Sequence, residues 1–181
     1  MNHQSSIINH HSINCRGKLI DLSTPKIMGI LNLTPDSFSD GGKFNDEKSA
    51  LLQAEKMIKD GADFIDIGAQ STRPNADFLS ARQEILRIGN VISLIKKEFP
   101  ETLISLDTFY ADVVKFGFDE GIDVVNDISG GDFDENLLKT VAETKLPYIL
   151  MHSNSTYQNM HEKIQYEDII VSLNYSFSKA H

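Results

Sequence analysis

Phe64-Ile65-Asp66-Ile67-Gly68-Ala69-Gln70-Ser71-Thr72-Arg73-Pro74 reads as a strand that turns into a polar loop. Phe64, Ile65 and Ile67 are apolar and strand-prone, only Asp66 interrupts them, and Gly61 and Gly68 bound the run. A run this short suits a strand of a parallel sheet covered on both faces. Polar chemistry begins where the strand stops. Ser71 and Thr72 bring hydroxyls, Arg73 brings a five-donor fork, and Pro74 restricts its own φ and the residue before it. A strand is delivering an anion-recognising loop.

The same syntax recurs along the chain. Ile27–Leu31 runs into Asn32-Leu33-Thr34-Pro35-Asp36-Ser37; Leu103–Leu106 ends on Asp107-Thr108; Asp123–Val125 ends on Asn126-Asp127; Tyr148–Met151 ends on His152. Helical patterns separate these strands. The first is predicted to start at Asn45 as cap, with Asp46 and Glu47 in its first turn and Ala50, Leu51, Ala54, Met57 and Ile58 on one face. Ser80 and Gln83 fit a capping box opening one long helix, whose stripe of Ile85, Ile88, Ile92, Ile95 and Phe99 runs to Pro100. Shorter helices are predicted over Ala111–Phe118 and Asn136–Glu143, and an amphipathic one over Tyr166–Phe177. Ahead of them all, Ser12–Leu22 alternates weakly around Arg16-Gly17 and reads as a hairpin, able in a barrel to plug the end opposite the site.

Five β-α units imply parallel strands with right-handed crossovers. Two closures fit: an open doubly wound sheet, or a TIM (β/α)₈ barrel of which the first five βα units are present. No Gly-rich fingerprint follows the first strand, which weakens the dinucleotide-binding form of the open sheet. A complete barrel needs ~250 residues, so 181 residues match one lacking its last three units. The chain divides into an N-terminal segment and hairpin, 1–26, and a partial barrel domain, 27–181.

Composition sets the outer limits. Hydrophobic residues at 40% and charged ones at 24% describe an ordinary globular domain. A net charge of −9, with no run of Lys and Arg among aromatics, argues against a nucleic-acid partner. No apolar run approaches the ~20 residues that span a bilayer, and Met1–His11 lacks the apolar core of a signal peptide. Cys15 is the only cysteine, so no intrachain disulfide forms and a cytoplasmic location is expected. His3, His10 and His11 read as a frayed terminus rather than a metal site.

Two stretches, Ile27–Gly42 and Phe64–Pro74, together resemble the signature segments of dihydropteroate synthases. The likeness runs from about Ile27 to the end and departs at Gln70, where glutamate is commonest, and at Asn75, where glycine is usual. It implies a TIM barrel that condenses 6-hydroxymethyl-7,8-dihydropterin pyrophosphate with p-aminobenzoate, releasing pyrophosphate and giving 7,8-dihydropteroate. By the same resemblance Asn32 contacts Mg²⁺, an ion that prefers oxygen ligands. Ser71, Thr72, Arg73 and Pro74 form the loop that meets the phosphates and p-aminobenzoate. Asp107 and Asn126 hold the pterin ring and stabilise its positive charge, and Met151 faces the pocket floor. Homodimers are usual for full-length members. Pterin- and phosphate-binding residues of the later strands have no counterpart to assign, so an incomplete chain is expected.

Each rim residue also has a plainer role open to it. Asn32 suits any turn, Arg73 and Asp107 suit surface ion pairs, Asp127 a loop cap, Asp66 an internal partner, and His152 a hydrogen-bonded rim position as readily as a proton shuttle. Phe38 and Phe78 are candidates for closing the loops over substrate. Two other readings stand beside the synthase: a corrinoid-linked methyltransferase domain, which also holds a reduced pterin through Asp and Asn, and a non-catalytic pterin-binding remnant. The Ser-Thr-Arg-Pro loop favours the synthase.

Overall fold

A computed structural model describes residues 11–34, 43–70, 78–152 and 167–179, with side chains described from residue 47 onward in the second of these. β1 (Ser12–Cys15) and β2 (Lys18–Asp21) form the expected antiparallel hairpin. Its two-residue turn pairs Cys15 with Lys18, and both turn residues, Arg16 and Gly17, take positive φ. That backbone twist matches the strands it joins.

The main sheet contains β3 (Met28–Asn32), β4 (Phe64–Gly68), β5 (Leu103–Asp107), β6 (Val124–Asp127) and β7 (Tyr148–Leu150), all parallel and in sequential order. A doubly wound sheet reverses its strand order at a switch point. This one never does, so the open alternative falls and the barrel succession stands.

The two faces of the sheet agree with this. Leu31, Ile65, Ile67, Ile104, Leu106 and Val125 point outward and are buried. Against them lie Ala50 and Ala54 of α1 (Lys43–Lys59), Ile88 of α2 (Ala81–Ile88), Val91, Ile92 and Ile95 of α3 (Val91–Glu98), Val113 and Val114 of α4 (Ala111–Glu120), and Leu137 and Val141 of α5 (Leu137–Thr144). Each fully buried Ile or Leu contributes roughly 1.5–3 kcal/mol. The alternate residues point the other way, and there Ile30 is 63% and Ile149 41% exposed. A sheet with helices on one face and an inner face of its own is a barrel wall.

The floor of that wall is apolar. Met28, Phe64, Leu103 and Val124, at or near the starts of four strands, pack against Ile13, Cys15 and Ile20 of the hairpin. Arg16 fastens the hairpin tip. Its Nε donates to the Ile122 carbonyl at 2.6 Å, Nη2 donates to the Phe118 carbonyl, and the guanidinium stands 4.4 Å from the centre of the Phe118 ring. A cation at the end of α4 also suits the helix dipole. Beside it Lys96 donates to Asp123, whose Oδ2 accepts from the Ile104 amide at 2.8 Å. The hairpin therefore plugs the N-terminal end.

Three local expectations need correction. The predicted single helix from Ser80 to Phe99 is two helices, α2 and α3, divided at Gly89-Asn90. The capping box is present: Ser80 N donates to Gln83 Oε1 at 2.9 Å, and Gln83 N donates to Ser80 Oγ at 3.4 Å. The break follows from Gly89, at φ 52° and ψ −127°, a conformation that a side chain would oppose. Asn45 does not cap α1, which begins at Lys43 and so contains Asn45 in its first turn. The first core strand starts at Met28, with Ile27 outside it, 60% exposed and tied by its N–H to Asp63 Oδ2 at 2.9 Å. The last helix, α6, covers Ile169–Lys179. Tyr166, Phe38, His3 and His10 lie outside the described residues.

Candidate functional site at the rim

The strand register puts the polar strand ends in one row. Asn32 pairs with Gly68, Gly68 with Asp107, Asp107 with Asn126, and Asn126 with Ile149. Residues level across a parallel sheet project to the same face, so Asn32, Asp107 and Asn126 share the inner face at the C-terminal rim. Gly68 leaves them room. A Cβ there would stand 3.2 Å from Asp107 Oδ2 and 3.5 Å from Asn32 Oδ1, so the two side chains converge over the bare glycine.

One layer below, Ile30, Asp66, Ser105 and Val124 are level with one another. Asn126 Nδ2 donates down to Asp66 Oδ2 at 3.0 Å. Asp66 thus has the internal partner expected of it, and that partner is itself a rim residue. Asp66 Oδ1 and Ser105 Oγ are buried without a hydrogen-bond partner of ordinary geometry among the described residues, although the hydroxyl lies near enough to offset part of the burial effect on the carboxyl. Unmet polar atoms below a polar row are what a polar heterocycle would satisfy.

Charge is concentrated here. Burial first, then the neighbouring Asp66, Glu84 and Asp127 carboxylates, push the Asp107 carboxyl up to about 7. Burial also raises Asp66 and Glu84. The rim row itself holds no cation, so a ligand carrying N–H donors or positive charge would relieve the repulsion.

Asp127 is not a rim ligand. It is fully buried on the outer face, where Oδ1 accepts from Ser129 N at 2.7 Å and Oδ2 from Gly131 N at 2.7 Å and the Tyr148 hydroxyl at 2.5 Å. It caps the loop after β6 and holds β7, and burial followed by this contact raises the Tyr148 hydroxyl. Met151 follows β7 by one residue, half-buried, with its N–H on the Asp127 carbonyl at 3.2 Å. His152 is half-buried and meets Phe177 of α6 edge to face at 6.2 Å. Ser71, Thr72, Arg73 and Pro74 lie outside the described residues, so the loop of the second signature is known only by its stems.

Those stems show what sequence reading missed. Gln70 and Glu84 are buried and bonded to each other, Gln70 Nε2 to Glu84 Oε2 at 2.8 Å. Phe78 packs on Phe109 and Phe133, at 6.2 and 5.9 Å between ring centres. The only signal in the sequence was the departure at Gln70.

For a metal, the described residues contain no group of three or more His, Cys, Asp or Glu able to hold one. Asn32 supplies a neutral oxygen on the exposed rim, with the Asp107 carboxylate converging beside it. Such a donor set fits an ion that keeps most of its waters and is shared with phosphates, as Mg²⁺ does.

Fold and rim together define a β/α-barrel protein whose polar chemistry is gathered at the C-terminal ends of its strands. Residues 28–181 match the pterin binding enzyme family, and the chain belongs to it. It is 48% identical over 158 residues to the mitochondrial folate synthesis bifunctional protein of Arabidopsis thaliana, covering 84% of this chain and 28% of that one. It is 44% identical over 152 residues to the dihydropteroate synthase of Synechocystis sp., covering 84% and 52% respectively. The dihydropteroate synthase of Xanthomonas albilineans, solved with 4-aminobenzoic acid, superposes with a TM-score of 0.80 at 30% identity over 93% of this chain and 59% of that one. The chain thus spans about half the length of the Synechocystis relative and under a third of the Arabidopsis one.

Proposed function

We propose that this chain is the pterin-binding half of a dihydropteroate synthase. The observation that carries the reading is the row Asn32, Gly68, Asp107, Asn126 at one register on the inner rim, with Asp66 beneath it. Likeness to synthases of known activity, one of them solved with 4-aminobenzoic acid, supports it.

In the reaction, the bond from the pterin methylene carbon to the pyrophosphate oxygen breaks, and its electron pair leaves with pyrophosphate. The amine nitrogen of p-aminobenzoate forms the new bond to that carbon and gives up a proton. No protein nucleophile is needed, so the residues act by position and charge. Asp107 accepts from ring N–H donors. Asn126, with its Nδ2 held by Asp66, offers Oδ1 as a further acceptor. The carboxylates that crowd Asp107 favour a ring developing positive charge. Asn32 would help to hold Mg²⁺, and the chemistry that ion would supply is neutralisation of phosphate charge. The resemblance assigns Ser71, Thr72, Arg73 and Pro74 to p-aminobenzoate and the phosphate side, and Arg73 suits that role by its bidentate fork.

The rim row lacks a cation and the inner face leaves Ile30 and Ile149 exposed. Residues 1–181 alone are therefore expected to bind pterin weakly and not to turn over. A cytoplasmic homodimer in the complete form belongs to the same proposal. Calorimetry of residues 1–181 with a pterin analogue tests the row. Binding that disappears in Asp107→Asn supports the reading, and equal affinity in the variant makes Asp107 structural. In the active protein, use of p-aminobenzoate and block by a sulfonamide separate the synthase from the corrinoid-linked methyltransferase reading.

A further inference from the structure

The bond from Asn126 to Asp66 passes over a whole strand. In the layer below the rim, Asp66 of β4 is level with Ser105 of β5, and Ser105 with Val124 of β6. Asn126 stands one layer higher, level with Asp107. Neighbouring strands lie about 4.8 Å apart, so β4 and β6 are separated by roughly twice that. The two side chains close the gap by leaning toward each other across β5, where Nδ2 donates to Asp66 Oδ2 at 3.0 Å. The β5 residue on their path is Ser105, fully buried and small. A branched side chain there would fill the space that the bond crosses.

That bond decides which way the Asn126 amide faces. An amide carries a donor nitrogen and an acceptor oxygen of nearly equal shape, whereas an ionised carboxylate only accepts. With Nδ2 on Asp66, Oδ1 is the atom left for the cavity. Turned over, the amide would set oxygen against oxygen beside a carboxylate that is only 5% exposed, where an unmet charge is costly. Burial raises the Asp66 carboxyl, and the Ser105 and Asn126 side chains pull it back. The Asn126 backbone is fixed separately, its carbonyl accepting from Thr108 N at 3.0 Å. Asp127, the next residue, does not compete for Asn126, since its oxygens accept from Ser129, Gly131 and Tyr148 on the outer face. What stays adjustable at Asn126 is the sense of the amide, and Asp66 sets it.

We propose that Asp66 is a positioning residue for the pterin substrate: reaching across the small side chain of Ser105, it holds Nδ2 of Asn126 so that Oδ1, beside Asp107, faces a ring N–H donor. Asp66 acts through Asn126 and not on the reacting atoms, and Ser105 acts by being small. That the ring is a pterin rests on the synthase reading above. The hold of Asp66 on the amide does not, because every residue in it is part of the fold itself.

The decisive variants are Asp66→Leu, Asn126→Asp and the exchanged pair Asp66→Asn/Asn126→Asp. Asp66→Leu removes the acceptor and frees the amide to turn. Calorimetry with 6-hydroxymethyl-7,8-dihydropterin should show affinity falling about tenfold, the scale of one hydrogen bond to a buried charged group. In the active protein KM for the pterin substrate should rise by the same factor, while KM for p-aminobenzoate stays within twofold. Asn126→Asp sets two carboxylates against each other and should bind at least as poorly. The exchanged pair moves the donor to position 66, leaves an acceptor oxygen facing the cavity, and should recover at least threefold over Asn126→Asp. Ser105→Val should reproduce the Asp66→Leu defect, and Ser105→Ala should stay within twofold of the parent. Exchange of the Asn126 side-chain amide hydrogens, followed by NMR without ligand, should accelerate in Asp66→Leu and Ser105→Val but not in Ser105→Ala. Parent affinity in Asp66→Leu, equal loss for both substrates, or an exchanged pair no better than Asn126→Asp reduces Asp66 to a packing role and overturns the proposal. So does unchanged amide exchange in Asp66→Leu. If Asp66→Leu does not fold, Ser105→Val and the exchanged pair decide by the same criteria. Absence of pterin binding in the unsubstituted protein counts against the synthase reading, and the exchange measurement then still decides whether Asp66 holds the amide.

Discussion

The same strands end in opposite chemistries. At their N-terminal ends Met28, Phe64, Leu103 and Val124 make an apolar floor sealed by Cys15 and the hairpin. Four residues further along each of β3, β4 and β5, Asn32, Gly68 and Asp107 make a rim of convergent oxygens, continued by Asn126 on β6. The floor satisfies itself. The rim does not: it keeps buried carboxylates close together, leaves Asp66 Oδ1 unmatched among the described residues, and raises Asp107. Stability is made at one end, and part of it is given up at the other, where a ligand can restore it.

The largest effect should come from the floor. Phe64→Ala deletes a buried ring and should cost ~3–5 kcal/mol, read as a fall in thermal midpoint. Pterin affinity of the molecules that remain folded should be unchanged; a direct loss of affinity would break the division into floor and rim. Asp107→Asn should do the opposite. The folded Asp107 carboxyl is raised to about 7, so its contribution is fully present below pH ~4 and is lost as pH rises through 7. The variant should therefore match the parent near pH 4 and exceed it at pH 8, by roughly 1–3 kcal/mol, while losing pterin binding. Denaturant titrations at the two pH values check the sign, and lower stability at pH 8 would falsify the idea that the rim is strained.

Arg73→Ala sharpens the comparison at the loop. In the active protein it should weaken use of p-aminobenzoate by ~1.5–3 kcal/mol in transition-state binding, the scale of a charge-assisted hydrogen bond. Steady-state kinetics that do not move for that substrate would remove Arg73 from the site. The smallest effect is Ser80→Ala, which breaks the capping box of α2 and should cost ~0.5–2 kcal/mol. It should leave ligand affinity alone, since Ser80 is exposed and its side chain bonds to Gln83 within the cap.

Much of this was legible in the chain. Short apolar runs ending in polar residues gave five parallel strands, and the residue after each run marked the rim. What stayed hidden depends on relations the sequence does not display locally. The helix break at Gly89 is invisible to periodicity because Ile85, Ile88, Ile92 and Ile95 stay in phase across it, and all face the core. The bond between Asn126 and Asp66 joins residues 60 apart and exists only through register. Glu84 sits in a helix where a glutamate is expected to face solvent, yet it is fully buried, and Thr108, Gln70 and Arg87 offset part of that burial. The strand order, which decided between two closures, followed from pairing alone.

Cys15 gives the floor a clock. It is the only sulfhydryl in the chain, 1% exposed, and burial raises its thiol to about 11. The reactive thiolate is therefore scarce while the hairpin is seated, and Arg16, the next residue, ties the hairpin to Phe118 of α4 and to the Ile122 carbonyl just past it. A disulfide reagent added to the intact protein would mark each undocking of the plug with a permanent chemical tag. The rate of tagging would report how often the base of the wall opens, at the end of the molecule opposite the proposed binding rim.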